Sequence, residues 1–252
     1  MIQIKNKASI AKMEQAGAIL SSIFDDLASV VVQGATTADV DAFIADKLKK
    51  RDLVSRMKGY MGYKHVSCIS VNDEVVHGVP SAQKLLKDGD LVKVDVCASF
   101  KGYCADMARS FYIGHVSDEV KQFTRIAERS LQAGIQKAVP GNRLGDISAA
   151  IQQVVEEAGY GVVRDFAGHG IGKQMHEDPE IVNYGTAGTG PVLRAGMAFA
   201  LEPMITMGDY QVVVGKDGWT VHTKDNSLAM HVEDTVIVTD HGPKVITRNV
   251  VG

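Results

Sequence analysis

Asp95 and Asp106 are two acidic residues whose spacing in the sequence could place them together in a reactive site. They lie in residues 91–112, where three valines alternate with polar residues at the period of a half-buried β-strand. A turn is predicted near residues 100–102, so the two aspartates are expected directly opposite each other in a hairpin. Opposed residues of an antiparallel pair have Cβ atoms about 5 Å apart.

Two carboxylates held this close repel each other, and burial would drive one of them to take up a proton. A bound dication removes the repulsion by supplying positive charge. The hairpin alone leaves a second interpretation open, in which both acids simply face solvent. The rest of the chain must therefore decide between a metal site and a surface pair.

Five further residues could act as ligands or as acid–base groups, and they lie far apart in the sequence: His77, His169, His176, Glu202 and Glu233. Each also has an ordinary interpretation as a turn residue, a strand end or a surface group. The glycines around His169 lack the Gly-Lys-Ser/Thr ending of a phosphate-binding loop, so they indicate close backbone approach to some other bound group. Glu233 is the most unusual of the five, because glutamate is disfavoured in a strand rich in β-branched residues.

Two aspartates, two glutamates and one of the histidines would together provide a set of five ligands. Such oxygen and nitrogen ligands suit divalent transition-metal ions. Paired ions of this kind sit about 3.5–4 Å apart and share bridging groups. The combined pattern therefore favours a two-ion metal site over five separate structural roles.

The composition excludes several classes of protein. The chain has 252 residues, of which 45% are hydrophobic, and a formal net charge of −3 with a pI near 6.2. This balance argues against wholesale nucleic-acid binding, so no DNA partner is predicted. The three cysteines lack disulfide or zinc spacing, and we find no signal peptide and no apolar run of about 18 residues. We therefore expect a cytoplasmic protein without a membrane partner.

Two helical segments with apolar faces open the chain, one over residues 9–33 and one beginning at Thr36. A similar pair is predicted later, with a helix over residues 117–138 and another that follows Gly141.

The second helices of the two pairs align with each other. Asp39 matches Asp146, Val40 matches Ile147, and the apolar faces coincide.

Strand-like sequence follows each helical pair, at residues 66–71, 91–113, 196–206 and 228–238. The order of two helices and then antiparallel strands occurs twice, which predicts an α+β fold with pseudo-two-fold symmetry and a central curved antiparallel sheet flanked by helices. We expect one domain, residues 1–252, built from halves of approximately 1–113 and 114–252.

A basic cluster at residues 47–51 ends the second helix. Its simplest interpretation is a solvated helix end, where positive charges suit the helix dipole. A docking surface for the ribosome is the alternative interpretation.

The segments VNDEVVHGVP, VDVCASFKGYCADMARSF, AGHGIGKQMHEDP, ALEPM and HVEDTVIVT resemble the type I methionine aminopeptidases, in the order and spacing of that family. The resemblance covers almost the whole chain and implies the pita-bread fold, which agrees with the repeat described above. It also implies removal of the N-terminal methionine from nascent polypeptides when the second residue is small, by attack of a dimetal-activated water on the first peptide bond. The short interval between His176 and Glu202 leaves no room for the helical insertion of the type II enzymes.

The resemblance assigns roles to individual residues. It implies that Asp95 holds one of two divalent ions, that Asp106 and Glu233 bridge both, and that His169 and Glu202 bind the second. The ions would be Fe, Mn, Co or Zn.

In addition to this metal role, Glu202 would transfer protons. His77 and His176 would contact the substrate, His176 at the developing oxyanion and His77 at the leaving nitrogen. The pocket for the methionine side chain maps onto Tyr60, Tyr63, Cys68, His77, Met175 and Trp219. Met57 stands where relatives often carry cysteine. The partners implied are the N-termini of nascent peptides, and the family suggests a monomer.

Two rival interpretations remain. An X-Pro peptidase has the same fold, although such relatives usually carry an extra N-terminal domain. A metal-free binding module on this scaffold would be expected to lack some of the five ligand positions, which are all filled here.

Overall fold

The computed structural model describes residues 1–248 of the chain. This part contains four α-helices and fifteen β-strands. The helices are α1 Lys7–Leu27, α2 Thr37–Lys50, α3 Asp118–Lys137 and α4 Leu144–Glu157. The strands are β1 Val54–Ser55, β2 Cys68–Val71, β3 Glu74–Val76, β4 Leu91–Phe100, β5 Tyr103–Tyr112, β6 Gly161–Val162, β7 Gly168–Gly170, β8 Glu177–Ile181, β9 Ala198–Leu201, β10 Met204–Thr206, β11 Val212–Val214, β12 Val221–Thr223, β13 Ala229–His231, β14 Asp234–Thr239 and β15 Gly242–Val245. None of the helices in this range is long and apolar enough to cross a membrane.

The second helix of each pair starts in the same way, as the alignment predicts. The Asp39 carboxylate accepts a hydrogen bond from the backbone N–H of Thr36 at 2.8 Å. The Asp146 carboxylate accepts the corresponding bond from Arg143 at 2.7 Å. Both aspartates therefore satisfy a donor at a helix start, where negative charge also suits the helix dipole.

Helix α1 is shorter than predicted. It ends at Leu27, whereas the apolar pattern predicts a helix that continues to residue 33. The intervening segment contains three consecutive valines, 30–32, and β-branched side chains lose rotamer freedom in a helix. Gly34 then adopts a left-handed φ of +87°, which completes the turn into α2.

Each helix pair covers its own set of strands. In the first half, buried Leu20 of α1 and Ile44 of α2 belong to one apolar core with the valines of β4. In the second half, Phe123 of α3 and Ile151 of α4 pack in another core with Phe199 of β9. These two larger cores follow the repeat seen in the sequence, and a third, smaller core joins Val75 and Val76 of β3 to strands of the second half.

The predicted hairpin is present as β4 and β5, but its register differs from the prediction. Asp95 lies opposite Ala108, and Asp106 lies opposite Cys97, so the expected direct pairing of the two aspartates is wrong. The connection is the two-residue loop of Lys101 and Gly102, which places the midpoint one residue later than expected. Because side chains alternate with a period of two, the aspartates still share one face as diagonal neighbours.

The prediction that β4 is half-buried is also wrong, because both of its faces are enclosed. The valine face packs under α1. On the other face, Lys93 is only 1% exposed and Asp95 lines a cavity.

The strands pair antiparallel throughout the described range, which agrees with the predicted α+β class, but they form four hydrogen-bonded sheets rather than one. Strand β4 pairs with β5 on one edge and with β1 and β2 on the other. The largest sheet has the order β15-β14-β9-β7-β8, and the two others are β13-β10-β6 and β11-β12-β3.

The last two predicted strands are each interrupted, and these interruptions separate the sheets. Residues 196–206 divide into β9 and β10 at Glu202-Pro203, because proline has no N–H for a ladder hydrogen bond. Residues 228–238 divide into β13 and β14 on either side of Glu233. Both interruptions therefore fall at glutamates that the sequence predicts to be functional.

Candidate active site

A cavity of about 220 Å³ lies between the two halves of the fold. All twelve residues that the sequence predicts for the site line it: Tyr60, Tyr63, Cys68, His77, Asp95, Asp106, His169, Met175, His176, Glu202, Trp219 and Glu233. The structure thus brings together side chains from nearly the whole length of the chain.

The five predicted metal ligands come from three strands and two interruptions between strands. His169 lies on β7, and its Nε2 is 3.5 Å from Glu202 Oε1 and 3.9 Å from Asp106 Oδ2. One ligand atom each from Asp106, His169 and Glu233 can be chosen so that all three lie within 4.8 Å of one another. Asp95 shares the hairpin face of Asp106, so all five side chains converge on one space.

Glu233 is placed by a contact between the two halves of the fold. Its backbone N–H donates to the carbonyl of Ala108 at 3.2 Å, and the Ala108 N–H donates back at 3.3 Å. The hydroxyl of Thr235 accepts from the backbone N–H of Asp106 and donates to its carbonyl, each at 2.8 Å. These bonds fix the glutamate beside the aspartate hairpin.

The charge balance of the cavity fits bound cations. Asp106 Oδ1 and Glu233 Oε1 are buried without a hydrogen-bond partner, and buried carboxylates ordinarily require one. Among the described residues that line the cavity there is no lysine or arginine. Four carboxyl groups therefore converge without protein counter-charges.

The ring of His169 is also oriented as a metal ligand. Its Nδ1 lies 3.0 Å from the carbonyl oxygen of Gly170, which can only accept, so Nδ1 carries the proton. In the neutral ring Nε2 then presents a lone pair to the carboxylates of Asp106 and Glu202. A lone pair that faces carboxylate oxygens is favourable only when a cation or proton lies between them, so these residues fit a divalent ion.

Burial explains how the carboxyl groups behave without metal. It raises the pKa of Asp106 to about 7. Burial, followed by repulsion from Asp106, also holds the pKa values of Asp95 and Glu202 well above their usual range. Burial raises the pKa of Glu233 in the same way. The metal-free site therefore retains protons near neutral pH, and cations would displace them.

Two histidines border the cluster. The Nδ1 of His176 lies 3.0 Å from the hydroxyl oxygen of Tyr60, and its ring stands edge-on to that of His169 with centroids 4.4 Å apart. His77 has a left-handed φ of +58° and packs edge-on against Phe166. Burial lowers the pKa of His77 to about 4 and also lowers the pKa of His176. Both rings are therefore neutral hydrogen-bonding groups at physiological pH.

The other side of the cavity is apolar. The rings of Tyr63 and Trp219 pack with centroids 4.9 Å apart, and the Tyr63 hydroxyl donates to the Ser67 carbonyl at 2.9 Å. Cys68 and Met175 complete this wall. Aromatic and sulfur-containing side chains give a surface that suits a flexible thioether.

Sequence reasoning assigned no site role to several residues that the structure places in or beside the cavity. Cys97 and Met61 line the cavity. Met57, which the resemblance had singled out as a departure from its relatives, lines it too, and its sulfur accepts a hydrogen bond from the Cys97 N–H at 3.4 Å. The position of Cys97 two residues after Asp95 could have revealed it, because such residues share a strand face. His231 lies behind Glu202, and its only signal was its position two residues before Glu233.

The comparison with protein families defines the class of protein that has this fold and cavity, a metal-dependent peptidase. The model of metallopeptidase family M24 matches residues 11–240, and the chain belongs to this family. The chain is 47% identical to a methionine aminopeptidase of Clostridium acetobutylicum, over 98% of this chain and 99% of that protein. It is 39% identical to methionine aminopeptidase 1 of Bacillus subtilis, over 98% of this chain and the full length of that protein.

Solved structures agree with this family. The methionine aminopeptidase of Thermotoga maritima has a TM-score of 0.97 and 43% identity, with 99% of this chain and all of that chain covered. An Xaa-Pro dipeptidase of Bacillus anthracis has a TM-score of 0.79 and 25% identity, and this chain covers only 62% of it. The predicted pita-bread α+β fold is thereby confirmed.

Proposed function

We propose that this protein removes the N-terminal methionine from nascent polypeptides whose second residue is small. The observation that carries the proposal is the position of five ligand-type side chains beside an apolar pocket lined with sulfur and aromatic groups. The methionine aminopeptidases that resemble the chain along its whole length support the same activity. A methionine side chain would enter the apolar wall while its peptide bond faces the carboxylates.

Two divalent ions, Fe, Mn, Co or Zn, are the proposed cofactors. Asp95 would hold one ion, Asp106 and Glu233 would bridge both, and His169 and Glu202 would hold the second. When bound, such ions polarise a scissile carbonyl and lower the pKa of a water molecule towards neutrality.

The chain's own groups would carry the remaining steps. Glu202 accepts a proton from the attacking water and passes it to the leaving amine. His176 donates a hydrogen bond to the oxygen that becomes negatively charged, and Tyr60 contacts its other ring nitrogen. His77 contacts the nitrogen of the leaving peptide.

The rest of the substrate has a path out of the cavity. A second groove of about 560 Å³ shares four residues with the site, namely His77, His169, His176 and Glu202. A peptide cleaved at the cluster would extend into this groove. The crowding of histidines at the junction would restrict the second residue of the substrate to a small side chain.

We further propose a single catalytic domain with halves of approximately 1–113 and 114–252, which acts as a monomer. A nascent-chain substrate would require it to work in the cytoplasm. The basic cluster at residues 47–51 gives little support to ribosome docking, because two of its positive charges, on Lys47 and Arg51, are paired with Asp26 of α1.

A panel of Met-Xaa-Ser peptides tests the activity, with metal first removed and then Fe²⁺, Mn²⁺, Co²⁺ or Zn²⁺ restored singly. We expect Met-Ala-Ser to be cleaved and Met-Leu-Ser to be resistant, with activity that depends on restored metal. Preferential cleavage of an X-Pro dipeptide would instead identify an X-Pro peptidase. Less than one divalent ion per chain together with no stimulation by any of the metals would identify a binding module.

A further inference from the structure

His231 is a buried histidine that has no role in the mechanism described above. It is the last residue of β13 and is 2% exposed. Its Nε2 has no hydrogen-bond partner and lies 3.4 Å from Oε2 of Glu202. A buried ring nitrogen without a partner is costly, so its position close to a functional carboxylate calls for an explanation.

The strand pairing holds these two residues in place. The backbone of His231 pairs with Met204 of β10, the strand that begins just after Glu202-Pro203. The N–H of Val232 also donates to the Pro203 carbonyl at 3.4 Å. Histidine and glutamate therefore lie as diagonal neighbours at the end of a fixed antiparallel pair.

The other parts of Glu202 are already fixed. Its backbone carbonyl accepts a hydrogen bond from Asn183 Nδ2 at 3.0 Å. Its Cγ lies against Gly168, where an added Cβ would come within 3.3 Å of it and within 2.4 Å of the Ala200 carbonyl oxygen. Oε1 lies 3.5 Å from His169 Nε2. The remaining atom that can fix the orientation of the Glu202 carboxylate is Oε2, through the group that contacts it.

We propose that His231 is a positioning residue whose Nε2–H donates to Oε2 of Glu202, which turns Oε1 towards His169 and the cation site. The distance of 3.4 Å is longer than the usual N–H···O range of about 2.7–3.2 Å. Hydrogen bonds at catalytic groups are often long in the free protein and shorten in the working complex.

A hydrogen bond explains this arrangement better than direct metal ligation. Within residues 1–248, the group whose ligand atoms lie mutually within 4.8 Å consists of Asp106, His169 and Glu233, and His231 is outside it. His231 reaches the carboxylate oxygen on the far side from His169. Partners of this type fix ligand orientation, and their loss typically costs about 10–100-fold in metal affinity or activity.

Three variants test the role. We expect His231→Leu to lose about 10–100-fold in Mn²⁺ affinity, measured by calorimetry on metal-free protein, or in kcat/KM on Met-Ala-Ser. His231→Gln keeps an N–H donor of similar reach and should recover most of that loss. Met230→Leu, which alters the apolar core on the same strand, should match the wild type. Wild-type affinity and turnover in His231→Leu would overturn the proposal.

A measurement on unmutated protein keeps the test independent of variant folding. ¹⁵N NMR of the histidine rings in Zn²⁺-loaded protein should show the proton of His231 on Nε2. A deprotonated Nε2 would overturn the hydrogen-bond role, as would a Gln variant as impaired as the Leu variant. The inference rests on the proposed metal centre; wild-type protein that bound no divalent ion would refute that centre, which is a different result.

Discussion

The ammonium group of Lys5 lies 2.8 Å from the carboxylate of Glu177, and both side chains are 5% exposed. The other oxygen of Glu177 accepts a hydrogen bond from the backbone N–H of Gln174 at 3.1 Å. An added Cβ on Gly172 would come within 2.6 Å of the Glu177 carboxylate, so the pair fills the space that this glycine leaves. The N-terminal segment thereby supports the loop that carries His176.

Breaking this pair should destabilise the protein. Removing one partner of a buried ion pair leaves an uncompensated charge and typically costs about 3–5 kcal/mol. We expect Lys5→Met to lower the free energy of unfolding by that amount in urea titrations. The double variant Lys5→Met/Glu177→Gln should recover part of the loss, because no buried charge remains.

The exposed pair of Lys244 and Glu14, with side chains 54% and 33% exposed, provides the control. Lys244→Met should cost no more than about 1 kcal/mol, because solvent screens the pair. Equal losses in Lys5→Met and Lys244→Met would contradict the structural role of the buried pair.

The raised pKa of Asp106, about 7, predicts how metal-free stability depends on pH. Aspartate in the unfolded protein titrates near pH 4. Between about pH 4 and pH 7 the folded protein therefore binds more protons at this group than the unfolded protein does, and its stability falls as pH rises through this range. Buried His169, whose pKa is lowered to about 3 by burial, acts in the opposite direction. Comparison with Asp106→Asn therefore reports the titration of this aspartate together with the repulsion that it exerts on Asp95 and Glu202.

We expect the unfolding free energy of metal-free wild type, relative to Asp106→Asn, to decrease between pH 4 and pH 7 by up to about 1.4 kcal/mol per pH unit. Added Mn²⁺ should raise the wild-type melting temperature more at pH 7.5 than at pH 5.5, because metal must displace protons. An Mn²⁺ response that is equal in wild type and Asp106→Asn would show that this carboxylate is not a ligand.

The contact between His176 and the cluster predicts a large kinetic effect. His176→Ala should lower kcat/KM on Met-Ala-Ser by about 10²–10³-fold, the loss typical of one oxyanion donor. Tyr60→Phe should lose less, because it removes the hydroxyl at 3.0 Å from Nδ1 but keeps the ring contact. His241→Ala, at an exposed turn, is the matched control. Unchanged turnover in His176→Ala would remove the oxyanion role.

Local patterns predicted the elements that position the site. The two-residue period identified β4, and the helical period with an aspartate at the third position identified both α2 and α4. Asp95 and Asp106 were expected on one face and lie there, although the exact midpoint of a two-residue turn could not be deduced from a run of Phe100, Lys101 and Gly102. Because the centre of the turn lies one residue later than predicted, the residue opposite Asp95 is Ala108, two positions beyond Asp106.

The features that sequence patterns missed depend on contacts between the halves. Glu233 looked like part of a continuous strand, but it pairs with Ala108 of β5 between β13 and β14. His231 gave no local signal that its ring would meet Glu202. Such contacts join residues distant in sequence, so neither periodicity nor composition reports them. The ligand chemistry of the side chains favoured one metal site, and the resemblance to a family assigned each residue its role in that site.

Lys93 is a buried lysine outside the proposed metal ligands, and it allows the effect of burial on a pKa to be tested. It is 1% exposed on β4, and its Nζ donates to the carbonyl of Asn72 at 2.8 Å. Burial lowers its pKa to about 7, although Glu74, Asp73 and Asp90 act to raise it. The unfolded side chain titrates near pH 10.4, so between about pH 7 and 10 the unfolded state binds more protons and stability rises with pH.

Lys93→Met keeps most of the side-chain length and removes the charge, at the cost of about 1 kcal/mol for the lost hydrogen bond. In urea titrations at pH 6, 8 and 10, we expect the wild type to gain stability relative to this variant as pH rises, by up to about 1.4 kcal/mol per pH unit. Lys87→Met, a change at an exposed lysine, controls for the loss of a surface charge. Parallel pH profiles for wild type and Lys93→Met would show that Lys93 keeps its proton when buried, since only a lysine that gives up its proton on folding makes the two profiles diverge.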